Sequence, residues 1–127
     1  MAATLTVLKP GGRIIPLIPP LQTIGRSSKC DIQLTPLDGF ILTHGENKGF
    51  NSVETVSRVH AQFTFVNGRW MLTDLGSLSG TTVNSVKIGQ DPVPLQNDSE
   101  IGLAAIRLLF HEDVQDLATE NADKTGF

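Results

Sequence analysis

The chain has 127 residues, of which 39% are hydrophobic and 18% charged, and it carries a net charge of −3. This size and composition predict one globular domain with its own core. They argue against a non-specific nucleic-acid binder, because such a protein needs a broad basic surface.

Several other function classes are disfavoured by what the sequence lacks. The single Cys30 cannot form an internal disulfide, and no cluster of Cys and His predicts a metal site. The first residues lack the pattern of a signal peptide, and no apolar run is long enough to span a bilayer. We therefore expect a monomeric, cytoplasmic domain that needs no cofactor and contacts neither nucleic acid nor membrane.

Alternation of apolar and polar residues, which is typical of β-strands, recurs along most of the chain. The clearest hairpin has Asn67-Gly68 at its centre, a pair suited to a type I′ turn. Another hairpin is expected at the start of the chain, where Pro16 confines its second strand to a sheet edge or a bulge. The predicted strands cover residues 4–8, 13–18, 21–26, 31–34, 61–66, 69–73, 82–84, 86–88, 100–103 and 105–110.

These strands, without a long helical pattern among them, predict an all-β fold. We expect a two-sheet β-sandwich of about ten to eleven short strands, with the recognition loops at one end. Phe63, Phe65 and Trp70 are predicted core residues. The sandwich is assigned to residues 1–110, and residues 111–127 to a polar, acidic tail with a short helix.

Residues 35–56 do not fit a compact sandwich and are predicted to be an insertion. They contain several Gly and Asn residues without a clear strand period, and unstructured loops of this length are uncommon and often functional. Apolar residues such as Phe40, Phe50 and Val53 are interspersed with charged ones. Two explanations remain open: these side chains cover an edge of the sandwich, or the insertion forms one wall of a binding groove.

Three clusters of small polar and basic residues follow strand ends, at 25–28, 57–60 and 77–84. A sandwich gathers its loops at two ends, so these clusters can meet. Two guanidinium groups and several hydroxyls on one rim suit a dianionic phosphate. Arginine bonds phosphate oxygens through a planar fork, and hydroxyls add short donors.

The same residues resemble the signature of the forkhead-associated (FHA) domain family. Residues 23–27 (TIGRS), 57–60 (SRVH) and 77–84 (SLSGTTVN) resemble its Gly-Arg, Ser-Arg-x-His and Ser-x-Asn-Gly-Thr-x-Val-Asn motifs, in that order. The resemblance extends from about Thr4 to Phe110, and three ordered motifs are far more specific than one. It implies a phosphothreonine-dependent protein–protein interaction module in signalling, whose partner is a phosphothreonine-containing protein or peptide.

The resemblance also implies which residues contact phosphothreonine. Arg26 would hold the phosphate, Ser57 would donate its hydroxyl to a phosphate oxygen, and Arg58 would add a second contact. Thr81 would help to form the wall beside the γ-methyl group of threonine. Ser79 occupies the position whose side chain holds the backbone of the bound peptide.

Four further residues would shape the loops without touching the ligand. His60 would brace the recognition loops against one another, and Asn84 would tie down the loop that follows it. The resemblance makes the remaining two, Gly25 and Gly80, architectural as well.

The third motif departs from the family pattern. The family has Asn before Gly80, whereas this chain has Ser79, which is shorter and lacks the paired donor and acceptor of an amide. Leu78 stands where many members have a hydroxyl, and Ser85 replaces the usual Gly after Asn84. These departures leave an alternative open, an FHA-like structural or adaptor domain that binds partners without recognising phosphate.

A catalytic role is considered and not favoured. Ser57, His60 and Asp74 are the residue types of a nucleophilic triad, but the first two are too close in an extended segment to pair reliably. Residues 76–80 imitate a nucleophile elbow, yet their central residue is Leu. We therefore predict that the chain is not an enzyme.

Overall fold

The computed structural model describes residues 2–8, 12–43 and 45–113, and within these ranges it has eleven strands in two sheets. Three short 3₁₀ turns lie between the fourth and fifth strands, at Pro36–Asp38, Gly45–Asn47 and Ser52–Thr55. The strands are β1 (Ala3–Val7), β2 (Ile14–Leu17), β3 (Leu21–Gly25), β4 (Ile32–Gln33), β5 (Ala61–Val66), β6 (Arg69–Asp74), β7 (Thr81–Val83), β8 (Val86–Ile88), β9 (Val93–Pro94), β10 (Glu100–Leu103) and β11 (Ile106–Glu112).

The two sheets enclose a common core, which confirms the predicted β-sandwich. Six strands form one sheet in the order β2-β1-β11-β10-β7-β8, and five form the other in the order β4-β3-β5-β6-β9. Paired strands are antiparallel throughout the described residues, apart from β3 and β4, which are parallel.

Both predicted hairpins are present. β5 and β6 are joined by Asn67 and Gly68, whose φ angles of 52° and 80° confirm the tight turn. β2 is an edge strand, so the missing N–H of Pro16 removes no bond to a further strand. β9 is missing from the sequence prediction, because two residues are too few to establish a period.

The core lies between the sheets and contains alternate residues of most strands. Phe63 is fully buried and Trp70 is 2% exposed, as predicted. Phe65 is only half-buried and packs against Trp70 with ring centroids 5.2 Å apart. Burying a large apolar side chain stabilises the fold by about 1.5–3 kcal/mol. This packing fixes the two sheets from which the functional loops project.

The insertion is built around short 3₁₀ turns and is anchored to the sandwich. Val53 and Val56 are buried in the core, so part of the insertion covers the sandwich as the first explanation proposed. Asp38 is buried and forms a salt bridge of 2.9 Å with Arg13, just before β2. Phe50, by contrast, remains 52% exposed. The apolar residues of the insertion therefore divide into buried anchors and exposed side chains.

The end of the sandwich differs slightly from the prediction. β11 continues to Glu112, two residues past the predicted boundary at 110. The helix predicted for the tail lies outside the described residues. In the part of the chain that the structure describes, no helix is long and apolar enough to cross a membrane.

Candidate functional site

Three loops meet at one end of the five-stranded sheet. β3 ends beside the start of β5, where Ile24 pairs with Ala61, and β6 ends beside the same point. The loop after β3 (residues 26–31), the segment before β5 (57–60) and the loop after β6 (75–80) therefore share one rim. We call them the first, second and third rim loops.

Backbone hydrogen bonds join the first two rim loops. The N–H of Arg26 donates to the carbonyl oxygen of Ser57 at 3.1 Å, and the N–H of Ser27 donates to that of Arg58 at 3.0 Å. Gly25 permits this approach, because a Cβ atom there would lie 2.1 Å from the Arg58 carbonyl oxygen. The glycine of the first motif is thus required by the close packing of two backbone segments.

Arg26 and Arg58 are both exposed on this rim. Nε of Arg26 donates to the carbonyl oxygen of Val56 at 2.8 Å, which orients the side chain. Its terminal nitrogens, and the whole guanidinium of Arg58, have no hydrogen-bond or carboxylate partner among the described residues. Two positive groups are therefore open to an anion from solvent.

Ser57 links the second rim loop to the third and keeps a donor free. Its hydroxyl oxygen accepts a hydrogen bond from the N–H of Leu78 at 3.0 Å. A hydroxyl that accepts one bond retains its own O–H as a donor. Ser57, which is half-buried next to Arg58, can therefore donate to the same anion as the two arginines.

His60 is buried and braces the rim loops from beneath. Its Nδ1 accepts from the N–H of Ser57 at 2.9 Å, so the proton lies on Nε2, which donates to the carbonyl oxygen of Gly80 at 2.8 Å. Burial lowers the pKa of His60 below its ordinary value, against opposing effects of the Gly80 carbonyl and Asp74. The ring is therefore neutral near pH 7, and its contacts are with the loops themselves.

Asp74 organises the third rim loop, a role that the sequence analysis missed. Its carboxylate accepts from the N–H groups of Gly76 and Ser77, each at 3.0 Å, and from the hydroxyls of Ser77 and Thr81. Burial raises the pKa of Asp74, but these hydrogen bonds outweigh it and the pKa lies below its ordinary value. An Asp at a strand end, with Gly and Ser two and three residues later, is typical of a turn in which the Asp carboxylate accepts hydrogen bonds from backbone N–H groups. This pattern could have revealed the role of Asp74.

One residue of the third motif that is predicted to contact the ligand lies beneath the surface. Thr81 is fully buried and its hydroxyl donates to Asp74 at 2.6 Å. Ser79 is exposed on the third rim loop. Gly80 has a φ of +92°, which favours glycine. Asn84 accepts a bond of 2.8 Å from the backbone of β10, which ties the turn after β7 to that strand.

Ser57, His60 and Asp74 do not form a catalytic triad. His60 is bonded to the backbone N–H of Ser57 and not to its hydroxyl. The carboxylate of Asp74 is bonded within the third rim loop. The hydrogen bonds of these three residues therefore hold the rim loops in place.

Neither a metal cluster nor a reactive thiol is found among the described residues. No group of three or more His, Cys, Asp or Glu side chains there could hold a metal ion. Cys30 is buried, and its thiol donates to the carbonyl oxygen of Arg58 at 3.1 Å. Burial raises the pKa of this thiol, so it remains protonated near neutral pH. Cys30 therefore supports the second rim loop.

A cavity of about 320 Å³ opens beside the rim, between the insertion and the third rim loop. Its lining residues are Phe50, Glu54, Thr55, Leu78 and Ser79. The first three belong to the insertion, which thus supplies one wall of the cavity, while Leu78 on the other side is bonded to Ser57 of the rim. We call it the insertion cavity.

Comparisons with known sequences agree with the resemblance seen in the motifs. The profile of the FHA domain matches residues 22–104. The glycogen accumulation regulator GarA of Mycolicibacterium smegmatis is 37% identical over 67 residues, which are 53% of this chain and 41% of that protein. The oxoglutarate dehydrogenase inhibitor of Corynebacterium efficiens is 39% identical over 67 residues, 53% of this chain and 46% of the relative. The match thus spans less than half of either relative.

A solved structure shares the architecture over nearly its whole length. It comes from work on phosphothreonine-dependent FHA domain interactions and superposes with a TM-score of 0.70 at 22% identity, covering 88% of this chain and 97% of that one. This likeness shows the fold. The family and the regulatory relatives point to an interaction module and away from an enzyme. The chain belongs to the FHA domain family.

Proposed function

We propose that the rim loops bind the phosphate of a phosphothreonine-containing protein or peptide through Arg26, Ser57 and Arg58. One observation carries this proposal. Two exposed arginines without a carboxylate partner among the described residues lie on hydrogen-bonded loops, beside a hydroxyl that retains its donor. Arg13, by contrast, is satisfied by both carboxylate oxygens of Asp38. A cation held in place without a partner suits an anion that arrives from solution.

The chemistry of the ligand matches these groups. Phosphothreonine carries about −1.5 to −2 charges near pH 7 and offers three acceptor oxygens. The terminal nitrogens of Arg26 can donate two parallel bonds, Arg58 adds a second positive charge, and Ser57 donates a short O–H bond. Affinity should fall as the phosphate loses its second charge below about pH 6 and as salt screens the arginines.

The third rim loop holds the remainder of the peptide in this proposal. Exposed Ser79 offers one hydroxyl to the peptide backbone, where the family pattern has an amide. Thr81 acts indirectly, since its bond to Asp74 holds the loop in place. Gly80 and Asn84 contribute in the same way, through the conformation of the backbone.

The names of the two relatives suggest what such binding achieves. One is a regulator and the other an inhibitor. We infer that this chain also regulates another protein by binding it, without catalysing a reaction, and that it does so in the cytoplasm. The inference is limited to the binding module, because less than half of each relative is matched.

An adaptor that ignores phosphate is the second candidate. It is favoured by Ser79, which stands in place of the amide, and by Leu78, whose side chain is 94% exposed where many members have a hydroxyl. Such an adaptor would bind its partner through exposed apolar side chains, whether or not the partner is phosphorylated.

Titration with a phosphothreonine peptide library and its unphosphorylated twin separates the two candidates. We expect only the phosphorylated library to bind, and we expect Arg26→Ala to weaken it at least tenfold, because a charged hydrogen bond of about 1.5–3 kcal/mol is lost. Arg26→Lys should retain little of the wild-type affinity, since an ammonium group cannot reproduce the planar fork of a guanidinium group.

The matched control is Arg69→Ala. Arg69 is exposed at the start of β6, at the end of the strand opposite the rim, and its removal should leave binding unchanged. Equal binding of the unphosphorylated library, or full affinity in the Arg26→Ala variant, would contradict the phosphate proposal.

A further inference from the structure

The insertion cavity is a built feature of the fold and not a gap between mobile side chains. Thr55, in its wall, donates its hydroxyl hydrogen to the carbonyl oxygen of Ser52 at 2.6 Å. The same hydroxyl accepts from the N–H of Ala105 at 3.0 Å, which ties the wall to the turn between β10 and β11. Val53 and Val56 on either side of this wall are buried in the core. The wall is therefore fixed to the sandwich.

Two large apolar side chains face this cavity without being covered. Phe50 is 52% exposed and Leu78 is 94% exposed. Exposed apolar side chains gathered around a concavity, with polar groups at its edge, are typical of a contact site. The cavity thus offers an apolar surface to a side chain that enters it.

Glu54 adds a negative charge to the same cavity. Its side chain is exposed, and its carboxylate has no hydrogen-bond or salt-bridge partner among the described residues. Asp38, in the same insertion, is buried and paired with Arg13, whereas the carboxylate of Glu54 is left open. The cavity therefore combines an apolar surface with one unpaired carboxylate.

The cavity lies within reach of a peptide bound at the rim. The N–H of Leu78, which lines it, is bonded to the hydroxyl of Ser57, and Glu54 precedes Ser57 by only three residues in the chain. An extended peptide spans roughly 3.3–3.6 Å per residue. A side chain within about four positions of the phosphothreonine can therefore enter the cavity.

We propose that the insertion cavity binds a basic side chain, arginine above all, of the phosphorylated partner, within about four residues of the phosphothreonine. The aliphatic stem of arginine would pack on Phe50 and Leu78, as long cationic side chains do on apolar surfaces. Its guanidinium would pair with the carboxylate of Glu54 and lie against the ring of Phe50. This assignment rests on the proposed function, because the phosphate must first hold the peptide at the rim.

The test is a comparison of phosphothreonine peptides that carry Arg, Ala or Leu at each of the four positions on either side. Dissociation constants are measured for the wild type, for Glu54→Gln and for Glu46→Gln. Glu46 is a matched control, since it is exposed in the same insertion and does not line the cavity. Ratios between peptides are compared, because removal of a carboxylate near the phosphate will raise the affinity for every phosphopeptide.

We expect the wild type to prefer Arg over Ala by about fivefold at one of these positions, the scale of an exposed ion pair with an aromatic contact. Glu54→Gln should remove most of this preference, and Glu46→Gln should retain it. An Arg preference that survives Glu54→Gln, or a preference for Leu over Arg, would overturn the assignment while leaving phosphate binding intact. Failure of every phosphopeptide to bind the wild type would instead remove the proposed function, and this assignment with it.

Discussion

The rim loops and the insertion lie side by side, and hydrogen bonds hold both, but the insertion is also anchored by two valines in the core. In the rim loops, the N–H of Arg26 donates to Ser57, and the ring of His60 accepts from the N–H of Ser57 and donates to the carbonyl oxygen of Gly80. The insertion is held by hydrogen bonds as well, among them those of Asp38 and Thr55, and in addition by Val53 and Val56, which are buried in the core.

This difference separates positions that are tightly constrained from positions that are free to change. A backbone shift in the rim loops breaks several directed hydrogen bonds together, each of which contributes about 0.5–1.5 kcal/mol. In the insertion the exposed residues, such as Phe50 and Glu54, are distinct from the buried anchors. Under the proposed function, phosphate recognition is built into the fold, while the preference for neighbouring residues is set by exposed side chains.

The largest effect is expected from Gly25→Ala in the rim loops. The new Cβ atom would overlap the carbonyl oxygen of Arg58, which belongs to the backbone and cannot rotate away. We expect the free energy of unfolding to fall by about 3 kcal/mol, at the upper end for overpacking, and phosphopeptide binding to be lost. Chemical denaturation measures the first quantity, and titration the second.

Gly89→Ala is the control for this change, because a Cβ atom there meets nothing within 4 Å. Its stability should stay within about 0.5 kcal/mol of the wild type. If Gly25→Ala loses no more stability than Gly89→Ala, the backbones of the first two rim loops are not tightly constrained, contrary to the view given above.

A smaller loss of stability is expected when a buried anchor of the insertion is truncated, and a still smaller one when an exposed side chain of the insertion is truncated. Val53→Ala removes two methyl groups from the core and should lower the free energy of unfolding by about 2 kcal/mol. Phe50→Ala removes a larger side chain that is half exposed, so it should cost less stability and instead alter the ranking of phosphopeptides. Denaturation curves and the peptide set described above check both outcomes. Equal losses of stability would mean that the division into anchors and exposed residues is wrong.

The smallest change in the free energy of unfolding is expected from the pH dependence that His60 contributes. Burial lowers the pKa of the folded-state ring, whereas the unfolded chain titrates near 6.5. As pH falls below about 6.5, the unfolded chain binds a proton that the folded chain binds only at lower pH, so the free energy of unfolding decreases. We expect His60→Gln to lose this part of the pH dependence between pH 7.5 and 5, and His111→Gln, an exposed position on β11, to retain it.

An NMR titration of the wild type provides an independent measurement of the same group. The midpoint for the ring of His60 should lie below 6.5, because protonation of Nδ1 would break its bond with the N–H of Ser57. A midpoint above 6.5 would show that the buried site tolerates the charged ring, contrary to the arrangement described for the rim loops.

The position of Thr81 illustrates what the register of a sheet adds to a sequence motif. Thr81 and Thr82 are adjacent, and the motif alone does not say which of the two side chains points inward. In the structure Thr81 pairs with Leu103 on β10 and with Ile88 on β8, and all three are buried. Because side chains alternate across a strand, the register of the sheet decides the direction of each one.

Local chemistry was sufficient for much of the fold and for choosing the candidate residues of the site. Residues close in the chain determine the turn at Asn67-Gly68 and the alternation in the strands on either side of it. The motif that contains Arg26 is likewise a run of adjacent residues. Contacts between distant segments were not available from the sequence. That Glu54 and Leu78 share one cavity, and that Asp74 holds the third rim loop, follow from the packing of two sheets. Such contacts depend on strand pairing and burial between remote segments, and no local pattern encodes them.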